Sequence, residues 1–396
     1  MPHLSVYTLG ELGVNRVKSP LQVKDGELLQ SQNATVKTVK NQLALAKRDG
    51  LAKINSSVAA GSILSIANMP FANPGSIAYA DDWTLRTATS VGWRSVAWSP
   101  TLGLLAAVKA NDVMTSTDGI NWTDRTAASG STWNDVAWSP TLGLFAAVHS
   151  DNTALTNQVM TSTDGVSWTL RTTPGGTNGL IAVKAITWAQ SLGLFAAVGV
   201  SNPGKPQVMT SPDGVNWTLR TTPDVDLKEI AWSEDLGLFV AINGAGSSHA
   251  DAPYFVTSPD GINWTQRDTG NSCTWQDITW NPTNSLFVAV GSANLSGSSR
   301  LITSPDGITW TQRTPPTEGT WITVNGESNL IVSLAETTTS GNNGMKSTDG
   351  VTWTEFSIPT TTNNSWSNLI WIDELSLFVT VRFNTVSLNL NVMTSR

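Results

Sequence analysis

The chain predicts an all-β fold, a seven-bladed β-propeller closed by its terminal strands and preceded by a small irregular or β N-terminal arm. Three observations carry that prediction. The phrase Ser-x-Asp-Gly-x-x-Trp occurs six times, at Ser116–Trp122, Ser162–Trp168, Ser211–Trp217, Ser258–Trp264, Ser304–Trp310 and Ser347–Trp353. A seventh copy is split: Val392-Met393-Thr394-Ser395 repeats Val113-Met114-Thr115-Ser116, while Asp82-Trp83-Thr84-Leu85-Arg86-Thr87 supplies the other half. Successive motif tryptophans, Trp83, Trp122, Trp168, Trp217, Trp264, Trp310 and Trp353, are 39 to 49 residues apart, the period of a four-stranded blade. A repeat whose halves lie at opposite ends of an array predicts a ring.

Each blade reads as two hairpins. The Asp-Gly step, carried by Asp118, Asp164, Asp213, Asp260, Asp306 and Asp349, is the dipeptide favoured in tight turns that need positive φ. Pro212, Pro259 and Pro305 precede three of these aspartates and preset a turn dihedral. Between motifs lies a second phrase, Val96-Ala97-Trp98-Ser99-Pro100-Thr101-Leu102-Gly103-Leu104-Leu105-Ala106-Ala107-Val108. It recurs around Trp138, Trp188, Trp232, Trp280 and Trp371, with Val324 expected in the tryptophan's place in the remaining copy. Runs such as Leu104–Val108 and Leu144–Val148 are apolar without alternation, as in strands covered on both faces. All 18 tryptophans lie after residue 80, and a buried tryptophan removes roughly 150–250 Å² from water. They are expected to pack between blades. Closing the ring removes the edges that would otherwise invite aggregation.

Composition narrows the function classes. Charged residues are 13% of the chain and glycines number 32, as in a folded, turn-rich protein. One cysteine, Cys273, excludes an intramolecular disulfide and a thiolate zinc cluster, and no cofactor is expected. Neither a basic start followed by an apolar run nor a stretch of about 18 apolar residues is visible, so neither secretion nor membrane insertion is expected. Residues 1–80 carry eight basic groups against four acidic ones, a net +4 that leaves −11 of the chain's −7 for residues 81–396. So acidic a disc is not built to wrap nucleic acid.

The arm, residues 1–80, shares nothing with the repeat. Ala34–Val39, Gln42–Leu45 and Leu51–Ile54 read as strand-like pieces, and Met69–Pro74 as a linker. Arg16, Lys18, Lys24, Lys47 and Arg48 are its candidate docking residues.

Two resemblances follow. The repeated motif resembles a shortened Asp-box of sialidase-like and other BNR-type propellers, which implies propeller architecture. The arm, through Ser19-Pro20-Leu21-Gln22-Val23-Lys24-Asp25-Gly26-Glu27-Leu28-Leu29-Gln30-Ser31-Gln32-Asn33-Ala34 and Leu45-Ala46-Lys47-Arg48-Asp49-Gly50-Leu51-Ala52-Lys53-Ile54-Asn55, resembles the opening of tailed-bacteriophage virion proteins over about 50 residues. That resemblance implies a structural virion protein, tail nozzle or hub-like, made in the host cytoplasm. Its implied partners are other tail proteins and further copies of itself in a ring.

An enzyme is not expected. A sialidase-like hydrolase needs clustered arginines, whereas Arg86, Arg125, Arg171, Arg220, Arg267 and Arg313 each follow a motif tryptophan by three residues and so spread around the ring. No carboxylate pair stands out by spacing. Tyr254 with His249 and Asp251, in the loop Asn243–Pro253, is the one unusual cluster. Binding of a host receptor or glycan through that loop and Ser150–Gln158 is the alternative, although neither loop holds a tryptophan.

Overall fold

The computed structural model describes the strand backbones of 29–30, 34–39, 42–47 and 50–53. It also describes residues 80–395 apart from 81, 89, 151–155, 175–179, 202–203, 245–253, 272, 295–299, 342, 360–364 and 384–389. The chain divides into two compact units, Met1–Ser76 and Ile77–Arg396. In the first, Leu29–Gln30, Ala34–Val39, Gln42–Lys47 and Gly50–Lys53 form an antiparallel meander in chain order. Lys47 ends the third of these strands, while Arg16, Lys18, Lys24 and Arg48 lie outside the described residues.

The second unit is a seven-bladed β-propeller. Blade 1 is Trp93–Ser99, Leu104–Lys109, Asp112–Ser116 and Thr123–Thr126, each strand antiparallel to the next. Blades 2 to 6 repeat it with first strands at Trp133–Ser139, Leu180–Ala189, Leu227–Ser233, Cys273–Asn281 and Gly319–Asn325. Blade 7 takes Trp366–Ile372, Leu377–Arg382 and Val392–Ser395 from the end of the chain and Thr84–Arg86 from before blade 1. Val392, Met393 and Thr394 pair with Arg86, Leu85 and Thr84. The ring is therefore closed within one sheet. First strands of consecutive blades pack side by side, the last against the first, so they form the innermost layer.

Seven hydrophobic clusters hold the ring, one between each pair of consecutive blades. Between blades 7 and 1, for example, Leu377, Val379 and Val381 meet Trp93, Leu105, Met114 and Trp122. The motif tryptophan always belongs to the cluster facing the preceding blade, as Trp217 of blade 3 does with Phe195 and Leu144. In five blades its Nε1 donates to the carbonyl of the motif glycine, at 3.1 Å from Trp122 to Gly119; Trp83 donates to Ala80 O instead, and Trp310 Nε1 is buried without an acceptor.

The turn that presents this tryptophan is wider than the expected tight hairpin. Six residues, 117 to 122, separate the third and fourth strands of blade 1, and only Gly119 among them has positive φ. Side chains build the turn: Ser116 Oγ accepts from Gly119 N at 2.9 Å, and Asp118 Oδ1 accepts from Ile120 N and Asn121 N, both at 2.8 Å. Glycine is needed for a second reason. A Cβ on Gly165 would stand 2.7 Å from Leu104 Cδ2 of the neighbouring blade.

Register corrects one expectation. Val324 pairs with Ser333 as Val96 pairs with Ala107, so the position of Trp98 falls in blade 6 on Gly326, not on Val324. Asn281 of blade 5 fills that space, its Nδ2 donating to the carbonyls of Gly326 and Ser328.

Two predictions follow from closure and contact. Gly165→Ala should lower stability by about 2–4 kcal/mol, since it adds both a left-handed alanine and a clash between blades. Gly103→Ala, at φ +58° with nothing within 4 Å of the added carbon, should cost only about 1 kcal/mol. Equal shifts in urea midpoint for the two variants would refute the contact. Removing residues 392–396 should expose the edges of blade 7 and yield oligomers by light scattering; a monomer of unchanged melting temperature would show that closure is dispensable.

Candidate functional site

The first strands share a β-bulge near their starts, one extra residue that bends the strand where it borders the axis. The residue just after the bulge is Ser95, Asp135, Ala185, Glu229, Asp277, Thr323 or Asn368 in blades 1 to 7. A bulge leaves backbone N–H groups without a ladder partner, and buried donors demand acceptors. Ser95, Asp135, Glu229, Asp277 and Asn368 supply them, to their own blade or to the next. Asp135 accepts Ile186 N at 2.7 Å, its own Val136 N at 2.9 Å and Ser95 Oγ at 2.6 Å, and so ties three blades together. Asp277 accepts Val324 N at 2.8 Å and Thr323 Oγ1 at 2.9 Å. Asn368 accepts Val96 N at 3.2 Å and so ties blade 7 to blade 1.

Burial dominates the electrostatics here. It pushes Asp135 and Asp277 up to about 6, against hydrogen bonds that favour the ionised form. Glu229 is raised well above its ordinary range, first by burial and then by the fields of Asp135 and Asp277. Asp135, Glu229 and Asp277 belong to the innermost strands of blades 2, 4 and 5. Glu229 accepts only from its own Ile230 N, at 3.1 Å, among the described residues.

The bulged residues themselves are Arg94, Asn134, Lys184, Lys228, Gln276, Ile322 and Ser367. Burial lowers the pKa of Lys184 and Lys228; on Lys184 Arg94 adds to the effect and Asp226 opposes it, and on Lys228 Glu229 and Asp277 oppose it and Lys184 adds to it. Spacing could have disclosed this layer. Asp135, Glu229 and Asp277 each precede the second phrase's tryptophan by three residues, and Arg94, Lys184 and Lys228 by four.

The residues singled out by sequence lie elsewhere. The motif aspartates sit in the turns between third and fourth strands, and hydrogen bonds from Ser167 N and Val166 N hold Asp164 at about 2. Each repeat arginine spans the outer strand pair: Arg171 Nε donates to Thr161 Oγ1 at 2.7 Å, and Arg86 Nε to Thr394 Oγ1 at 3.0 Å across the closure. They do not converge. A shallow cleft of about 530 Å³ between blades 2 and 3 is lined by Leu170, Arg171, Pro174, Val215 and Trp217. Burial raises the Cys273 thiol to about 12. Tyr254 starts a strand, but His249, Asp251 and most of both long loops lie outside the described residues.

In an antiparallel meander the first and third turns of each blade emerge on one face. That face carries exposed aliphatics in two circles: Leu102, Leu142, Leu192 and Leu236 from the first turns, and Ile120, Val166, Val215, Ile262, Ile308 and Val351 from the third, all 37–48% exposed. The six motif aspartates, Glu234, Asp235, Asp373 and Glu374 lie in the same turns, which contain no Lys, Arg or His.

No protein-family model and no curated protein sequence matches the chain. Among solved structures, a streptogramin B lyase is similar, with a TM-score of 0.57 and 11% identity, over 81% of this chain and 99% of that one. At that identity the likeness shows the propeller fold alone. Among the described residues no group of three or more His, Cys, Asp or Glu is placed to hold a metal ion.

The two carboxylate populations have opposite pH signatures. Asp118, Asp164, Asp213, Asp260 and Asp349, depressed in the fold, contribute stability above about pH 4 that is lost as pH falls towards 2. Asp277, raised in the fold, contributes stability below about pH 4 that is lost as pH rises through about 6. Asp277→Asn should therefore flatten the decline in urea midpoint between pH 4 and 6. An unchanged slope would remove Asp277 from the buried titration.

Proposed function

We propose that the chain is a non-enzymatic structural component of a tailed-bacteriophage particle, placed in the tail. Its propeller serves as a rigid interaction disc, and residues 1–80 dock it onto neighbouring subunits. The observation that carries this reading is the turn face, where regularly spaced exposed aliphatics and an all-acidic charge set cover one side of the disc. Aliphatics repeated on one face beside carboxylates offer a partner apolar contacts with a polar surround, the composition of interaction sites. Two further points support it. Asp135 and Asp277 are engaged by backbone donors of adjacent blades, a framework role, and the repeat arginines are each spent on a threonine of their own blade. The arm's phrases resemble virion proteins, and the repeated motif resembles the Asp-box, which tolerates many functions on one architecture.

Copies of the chain and other tail proteins are the proposed partners. Deleting residues 1–76 should leave a soluble disc that melts like the parent but is missing from purified particles by immunoblot. Normal incorporation of the truncated chain would refute the docking role.

A further inference from the structure

We propose, on the reading of the propeller as an interaction disc, that its turn face receives the basic meander of a second copy of the chain, residues 29–53. Charge selects both surfaces. The turns of that face hold the six motif aspartates, Glu234, Asp235, Asp373 and Glu374, and no Lys, Arg or His. The last four of these carboxylates are exposed.

Charge within residues 1–80 is just as unevenly shared. Residues 1–28 are balanced, with three basic groups against three acidic ones, and residues 54–80 carry none. The whole net +4 therefore falls in 29–53, where Lys37, Lys40, Lys47, Arg48 and Lys53 stand against Asp49 alone. Four antiparallel strands carry that segment. Surfaces of opposite charge steer one another into encounter and disfavour wrong partners.

Apolar composition matches as well. Leu102, Leu142, Leu192, Ile262 and Val351 are among the exposed aliphatics of the turn face. The segment interleaves Leu29, Val36, Val39, Leu43, Leu45 and Leu51 with its cations. Aliphatic contacts supply affinity where charge supplies orientation. Two turn faces brought together would instead set carboxylates against carboxylates, so the contact is not the self-complementary kind of a two-fold dimer. It joins one surface of a copy to a different surface of the next, and each pairing leaves a turn face and a meander free for further copies.

The test is sedimentation velocity of the purified full chain over a concentration series. Reversible, concentration-dependent association is expected, weakened at least about tenfold on raising sodium chloride from about 0.05 to about 0.5 M. Leu142→Lys with Leu192→Lys, which sets two cations in the first turns of blades 2 and 3, should weaken it to a similar extent, as should Lys47→Glu with Arg48→Glu in the meander. All four changes together should associate more tightly than either pair alone, because the exchanged charges attract again. Glu336→Lys, which changes net charge by the same amount near the far end of a blade 6 strand, should leave association unaltered. A monomer at every concentration, or no recovery in the fourfold variant, would overturn the contact. Association lost with the turn-face pair but kept with the meander pair would give the face to another part of the second copy and overturn it too. Particle incorporation reads the tail role separately. A chain that associates as expected yet is missing from purified particles supports the contact and refutes the tail, whereas incorporation of a chain that stays monomeric overturns the contact alone.

Discussion

Every blade of this propeller is apolar on both faces, and that constraint organises the rest. A four-stranded sheet covered on one side only would leave a row of tryptophan, phenylalanine and aliphatic side chains in water. Seven clusters of the kind formed by Trp93, Met114 and Val379 require seven neighbours, and a linear array of seven blades has only six junctions. Pairing Val392–Thr394 with Thr84–Arg86 places both ends of the array in one blade and supplies the seventh. The hydrogen bond from Arg86 to Thr394 reproduces across the closure the bond that Arg171 makes with Thr161 inside blade 2. Closure thus uses no special chemistry; it uses the ordinary repeat, cut at a different place.

The same curvature creates a problem at the axis. Innermost strands crowd one another, and their bulges leave N–H groups pointing at a neighbour instead of a ladder partner. Carboxylates are strong acceptors, and Asp135 satisfies Val136 and Ile186 together. The cost is desolvation, visible in the raised pKa values of Asp135 and Asp277. Neutral acceptors serve where they reach, as Asn368 does for Val96. The axial acids are therefore explained first as blade-to-blade fasteners.

Blade count, strand order, closure and the inter-blade place of the motif tryptophans were legible in the sequence, because those positions repeat in residue type. Trp122, Trp217 and Trp353 do one job with one side chain. The axial layer shows in the sequence only as a spacing, three residues before the second phrase's tryptophan, because one role, accepting a neighbour's N–H, is filled by Ser95, Asp135, Asp277 and Asn368, which share no single residue type. Blade 6 was misaligned because Gly326 and Asn281 together replace the indole that marks the other copies. Asp-Gly alone predicts a tight turn, whereas Ser116 and Asp118 organise a wider one through side-chain hydrogen bonds.

In a repeat protein, departures from the repeat carry more information than the repeat. A side chain present in all blades has a blade's reason to exist; one present in three has another. Arg94, Lys184 and Lys228 stand in blades 1, 3 and 4, while Ile322 shows that the bulge position needs no charge to be folded. Framework demands would be met by Asn134 or Ser367 at every copy, since both clasp the next blade without bringing charge into a confined passage. Burial opposes the charge on all three, while Asp226 favours it on Lys184, and Glu229 and Asp277 favour it on Lys228. Lys228 nevertheless clasps blade 5 through Gln276, as Asn134 and Ser367 clasp their neighbours, so a cation can fill the same framework role at a cost in desolvation.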